Sequence, residues 1–334
     1  MDAKRKGKCG VGFVFMIFLF IFGMGNEAPG KTINLSGLTS PTGDYRWRDV
    51  ADQLYSQSYQ TSYNYTQANV AVTYDPAAPT LSGTLTAANL KPNFAYQLKL
   101  AGSPGTAANE HIGLAGRWWQ EEWNGSAWTN GQNLNNKGTG FSPNPNDTIY
   151  FQNRDIVNAT SPTGLKYRYT GYLIYDYFIT DENGNAVFNF ETNSSYHVLW
   201  KTSQRSETSS DGAVKSGSFD ADPSLSPAYD TDYPSQTINI FGEWERLPVG
   251  GVHLQVGDYL AQFILTEESF HGSGGSYAGN WAGAMGADIQ FFITCPGDMD
   301  RDGVVDGSDL AEYIRDDDGV SLADFAANFG KSCF

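Results

Sequence analysis

The chain has 334 residues, with 21 Lys and Arg against 37 Asp and Glu, a formal net charge of −16 and a sequence pI near 4.5. A surface of that sign is repelled by nucleic acid and by anionic membranes, so neither is an expected partner.

At the N-terminus, Lys4, Arg5, Lys6 and Lys8 precede an almost wholly apolar stretch, residues 11–22, and small residues follow at Gly23, Gly25 and Ala28. This is the layout of a secretory signal over residues 1–26. Its apolar core of about 12 residues is short for a bilayer, which needs about 20. An uncleaved N-terminal anchor is the alternative. Without residues 1–26 the chain holds 17 basic against 36 acidic side chains, a net of −19. That suits a secreted or cell-surface protein in a medium rich in divalent cations.

Residues 27–294 read as one large domain, poor in charge and rich in Gly, Asn, Ser, Thr and aromatics. Strand patterns recur at 70–74, 81–86, 96–100, 169–180, 186–191, 196–202, 237–241, 258–266 and 287–294, with Asn183-Gly184 as a turn signal. About nine strands, mostly hairpin-linked, predict a mainly β fold: a large antiparallel β-sandwich with long loops. A short helix is expected over 49–59, and long loops over 102–164 and 203–235. The spacing of Leu90, Pro92 and Tyr96 resembles the tyrosine corner of fibronectin type III and immunoglobulin-like domains. The resemblance covers about ten residues and implies fold, not activity.

Four of the eight tryptophans lie in the first long loop. Trp118, Trp119 and Trp123 are candidates for a carbohydrate platform, because aromatic faces stack on pyranose rings. They could equally anchor the loop on a sheet, and in an extended segment one of Trp118 and Trp119 must point inward. Catalytic signals are sparse. His111, His197, His253 and His271 show no metal-ligand spacing, and His197 sits in an apolar strand pattern, where a structural role is expected. A sandwich glycosidase would need facing carboxylates. Glu121 with Glu122, Glu243 with Glu245, and Glu267 with Glu268 are the candidate pairs, and nothing selects one. Glu267 and Glu268 are expected as solvated carboxylates at a strand end. No catalytic residue is assigned.

From residue 295 the composition turns acidic. Residues 298–309 form a twelve-residue calcium loop: Asp298, Asp300, Asp302, Asp306 and Asp309 stand at positions 1, 3, 5, 9 and 12, glycine at position 6, and Val304 offers its carbonyl at position 7. Leu310 and Ile314 would share the face of a following helix. Leu322, Phe325, Ala326 and Phe329 would form the stripe of a second, stopped by Gly330. Cys295 and Cys333 bracket the segment and are expected to pair, closing a loop of about 38 residues at a gain of about 4 kcal/mol.

A loop-helix unit with Asp at position 12, partly echoed at 318–324, resembles the dockerin type I module. The resemblance covers about 35 residues and is strong in the first half only, since Ile314 stands where the second loop needs its first ligand. It implies Ca²⁺ held by Asp298, Asp300, Asp302 and Asp309, the Val304 carbonyl and Asp306 directly or through water. It also implies docking to a cohesin-like partner on a scaffold. The expected organisation is a signal at 1–26, a β-sandwich domain at 27–294 and a calcium module at 295–334. The functional expectation is a non-catalytic secreted or surface protein attached through that module. The alternatives are a polysaccharide-binding or polysaccharide-degrading component, and a structural subunit of a surface layer or fibre.

Overall fold

The structure, a computed structural model, describes residues 30–38, 42–134, 145–192, 195–198, 217–240, 242–246, 254–268, 279–280, 283–300, 304–315 and 320–331. The strands in chain order are β1 (Lys31–Gly37), β2 (Thr42–Gly43), β3 (Asn69–Tyr74), β4 (Ala77–Ala78), β5 (Ser82–Ala88), β6 (Ala95–Ala101), β7 (Arg117–Trp123), β8 (Trp128–Leu134), β9 (Tyr167–Ile179), β10 (Ala186–Glu191), β11 (Ser195–Val198), β12 (Gly217–Ala221), β13 (Gln236–Ile240), β14 (Gly242–Arg246), β15 (Gly257–Glu267), β16 (Gly279–Asn280) and β17 (Gly283–Ile293). The helices are α1 (Gln57–Ser62), α2 (Ala107–Ala115), α3 (Pro145–Asn153), α4 (Gly307–Arg315) and α5 (Leu322–Asn328), with a 3-10 turn at Asp44–Trp47.

Eleven strands form one sheet in the order β10-β5-β3-β1-β17-β15-β6-β9-β7-β8, with β4 added beside β17. Every pairing is antiparallel except the short β4 contact. Strand β1 is the joint. Residues 31–35 pair with β3, whereas Ser36 and Gly37 pair with β17. About this joint the sheet folds onto itself. Phe190 of β10 lies 5.5 Å from Phe263 of β15 and 5.9 Å from Tyr175 of β9, ring centre to ring centre, although β10 sits at the far end of the sheet. Val70, Val72 and Leu85 from one half join Leu98, Leu100, Leu173, Leu265 and Ile289 from the other in one core. Each such buried aliphatic side chain contributes about 1.5–3 kcal/mol. Helix α2 packs on the core face of β9, where its Ala108 and Ile112 join the same cluster as Leu173. Gly171 makes that approach possible, since a Cβ there would run into the Asn109 carbonyl.

Strands are found in all nine expected stretches, of which residues 199–202 and 241 lie outside the described residues. The connections differ: β9 turns at Asn183-Gly184 into β10, but β10 pairs with β5 instead of returning along β9. The expected loop at 102–164 contains α2, β7, β8 and α3. The helix expected at 49–59 is displaced, with a 3-10 turn before it and α1 at its end; Ser56 caps α1 by accepting from Tyr59 N at 3.1 Å.

The segment before β6 organises its surroundings. Asn89 and Asn93 take φ of +59° and +48°, a region that asparagine tolerates better than most residues. The chain thereby reverses so that Lys91 N donates to the Tyr96 hydroxyl at 3.1 Å. The β9–β10 turn docks here through Leu90 N to Gly184 O and Asn93 N to Asp181 O, both 3.0 Å. Tyr55 Oη donates to Pro92 O at 2.6 Å, and Val50 N to Asn93 O at 2.9 Å.

The expected Cys295–Cys333 bridge finds no support among the described residues. Cys295 is the one cysteine among the described residues, and no cysteine pair stands at disulfide distance among them; Cys333 lies outside. What holds the C-terminal segment together in the described residues is packing. Val305 and Phe325 are buried, Phe325 stacks on Tyr313 at 5.0 Å, and the backbone joins Val305 N to Lys331 O at 3.0 Å and Gly330 N to Val305 O at 2.6 Å.

Asp49 links the segment after the 3-10 turn to the core. Its carboxylate is fully buried and accepts from Ala51 N, Gln53 N and Tyr229 Oη, each at 2.8 Å. Burial outweighs these bonds and pushes the carboxyl up to about 6. The folded state therefore keeps a proton that the unfolded chain releases from about pH 4. This group's contribution falls as pH rises from about 4 to 6, by about 3 kcal/mol in all. Asp49→Asn removes that component: subtracting the variant's denaturation profile from that of the parent leaves a stability difference that falls across this window and is flat above it. A flat difference throughout contradicts the assignment.

Candidate metal centre

The acidic loop delivers three of its expected ligands to one point. Carboxylate oxygens of Asp298, Asp300 and Asp309 lie within 4.8 Å of one another. Calcium holds oxygens at about 2.3–2.6 Å, so ligands on opposite sides of one ion stand about 5 Å apart. The spacing fits a single shared cation, and an all-oxygen donor set is what a hard cation takes.

The local fold explains the convergence. Asp306 caps α4: its Oδ1 accepts from Ser308 N at 2.7 Å and its carbonyl accepts from Leu310 N at 3.2 Å. Asp309, in the first turn, reaches back to accept from Asp306 N at 2.7 Å, a reciprocal capping arrangement. Its other oxygen accepts from Met299 N at 2.6 Å and Asp300 N at 3.2 Å. The position-12 carboxylate is thus fully buried and ties the start of the loop to its end. The helix N-terminus adds favourable electrostatics for it. Gly297, at φ +98°, fits against Val305 and Phe325, where a Cβ would stand 3.0 Å from Val305 Cγ1.

Val304 is described at the loop's seventh position, in a backbone bridge, and Asp306 acts as the cap and is not one of the three convergent carboxylates. Asp302 lies outside the described residues, as do Asp316 and Asp318. Gly330 ends α5 at φ +79°, as its position predicts. The apolar stripes behave differently from expectation. Only Phe325 is buried among Leu310, Ile314, Leu322, Phe325 and Phe329; Ile314 is 77% and Leu322 64% exposed. Two such short helices enclose Val305 and Phe325 between them and leave the rest of each apolar stripe facing outward.

The other candidates in the large domain do not assemble into a catalytic centre among the described residues. Trp118 is fully buried, stacked on Tyr150 at 3.8 Å, with Nε1 donating to Asp147 at 3.2 Å. Trp119, its neighbour on β7, points outward and is 39% exposed, which bears out the alternation expected of an extended segment. Trp123 packs on Trp128 at 5.4 Å. Glu121 pairs with Arg168 at 2.6 Å and Glu122 with Lys166 at 3.3 Å. His111 Nδ1 lies 3.3 Å from Tyr259 Oη, and burial lowers its pKa. His197 and Glu243 face each other in the β11–β14 ladder, as backbone positions. His253 and His271 lie outside the described residues.

Glu267 and Glu268 are the clearest departure. Expected at a solvated strand end, both are fully buried. Glu267 Oε1 accepts from Lys91 Nζ at 2.6 Å and from Tyr65 Oη at 2.5 Å, with Arg46 Nη2 at 3.9 Å. The Tyr65 hydroxyl lies 3.2 Å from that of Tyr96. Lys91, Arg46 and Tyr65 carry no recognisable motif. A lysine enclosed by the apolar residues Leu90, Pro92 and Phe94 was the one available signal.

No family model, curated protein or solved structure matches this chain. The functional reading therefore rests on the residues and their geometry.

The two roles of the loop carboxylates separate experimentally. Asp309→Ala leaves three backbone N–H groups without their acceptor and costs about 1–3 kcal/mol even in chelator. Asp300→Ala, at an exposed position, costs less than about 0.5 kcal/mol in chelator. Amide exchange rates across residues 296–331, measured in chelator for each variant, give both values; equal effects contradict the division.

Proposed function

We propose that this chain is a secreted or cell-surface protein in which a non-catalytic β domain, residues 27–294, is followed by a calcium-binding attachment module at 295–334. The observation that carries the reading is the convergence of Asp298, Asp300 and Asp309 within the twelve-residue acidic loop. The module's dockerin-like character is supported by the loop-helix order and by the outward apolar side chains of Leu310, Ile314 and Leu322. A cohesin-like domain on a scaffold is the partner such a face suits. The resemblance of the turn before β6 to a fibronectin type III tyrosine corner is supported by the Lys91 N to Tyr96 Oη bond. Among the described residues no helix is long and apolar enough to cross a membrane.

Calorimetric titration of the chelator-stripped chain with calcium tests this reading. One tight site is expected in the parent, and Asp298→Ala combined with Asp300→Ala lowers the affinity by at least two orders of magnitude. Unchanged affinity in the double variant overturns the loop as the site.

A second reading, carbohydrate binding by the β domain, is favoured by Trp119. Its exposed ring lines a pocket of about 320 Å³ together with Tyr172, Lys99 and Thr266 on the outer face of the sheet. Trp119→Ala then abolishes retention on a polysaccharide matrix that the parent binds, and Trp123→Ala does not. Equal retention of all three proteins, or none by the parent, removes this reading.

A further inference from the structure

Glu267 closes β15 opposite Tyr96 of β6, and Lys91 lies in the turn that precedes β6. Both side chains have no solvent exposure, and 2.6 Å separates Lys91 Nζ from Glu267 Oε1. The amine is walled by the rings of Phe94 at 4.4 Å and Trp47 at 4.9 Å, and donates to the Arg46 carbonyl at 2.5 Å. Burial draws Lys91 down to about 8 against the pull of Glu267. Glu267 Oε2 is buried and has no hydrogen-bond partner among the described residues.

An ion pair in such a place bears a large desolvation penalty. Moving one proton from Nζ to the carboxylate replaces it with a neutral amine and a carboxylic acid in contact, both buried. These are the two reactants of an amide condensation, already in the geometry that intramolecular reactions exploit.

We propose that Lys91 and Glu267 form an intramolecular amide cross-link. The Nζ lone pair attacks Cδ of the protonated carboxyl. The tetrahedral oxyanion develops on Oε1, where the Tyr65 hydroxyl donates and the Arg46 guanidinium lies near. Oε2 departs as water, taking the acid proton and one proton from the amine. One C–N bond forms, one C–O bond breaks, and no oxidant or cofactor is consumed. The bond would fasten residues 176 positions apart in sequence, at the point where the turn before β6, the 3-10 turn and the end of β15 meet.

Mass spectrometry of the full chain, unfolded and digested after purification, reads the bond directly. The expected result is a branched pair of peptides joined between Lys91 and Glu267, lighter than the two separate peptides by one water. Glu267→Gln still closes, now with loss of ammonia, and Lys91→Met yields only linear peptides. Because the parent protein carries the primary readout, a variant that fails to fold does not blunt the test. Linear, unmodified Lys91 and Glu267 peptides from the soluble folded parent overturn the proposal, and identify the contact as an ion pair only.

Discussion

A carboxylate with no solvent exposure is the constraint around which the β domain is arranged. Glu267 cannot be desolvated alone, since the effective penalty is several kcal/mol per ion. Its partners come from three separate places: Arg46 in the 3-10 turn, Tyr65 after α1, and Lys91 in the turn before β6. Satisfying one side chain therefore fixes the segment between β2 and β3 against the end of β15. The Tyr96 hydroxyl, which accepts from Lys91 N and touches the Tyr65 hydroxyl, couples that polar knot to the reversal of the chain. The sheet's fold at β1 then brings β10 over β9 and β15, and the aromatic contacts of Phe190 and Phe188 close the core.

The C-terminal loop meets the same physical problem with a different solution. Asp309 is buried as completely as Glu267, but its charge is met by backbone N–H groups. Those bonds shape the loop, and the shape places Asp298 and Asp300 beside it. A shared cation would relieve their mutual repulsion. The fold of the loop and its proposed ligand are thus two consequences of one side chain. Asp309 supports the loop structurally, while Asp298 and Asp300 complete the donor set.

Local patterns were the legible part. The alternation at 70–74 and the aromatic run at 169–180 mark strands because one face, or both, must be buried. The spacing of the loop aspartates marks a cation site because an oxygen sphere needs that convergence. Connections between distant strands were not: nothing in 186–191 states that it pairs with 82–88 instead of its neighbour in sequence. The pairing of Lys91 with Glu267 was hidden likewise, because charged residues read as solvated until the fold places them together. Two short helices with apolar stripes suggested a buried interface, but the stripe exceeds what the helices can bury, and Ile314 and Leu322 remain outside.

The central claim is that cation binding belongs to the terminal loop, while the β domain holds its shape through its own buried polar knot. Hydrogen exchange of the full chain, compared with and without calcium, addresses this most directly. The account predicts slower exchange at Met299, Asp300 and Asp306, whose N–H groups close the loop onto Asp309, with no change in β6, β9 or β15. Calcium-dependent protection spread through those strands, or none in the loop, would contradict it.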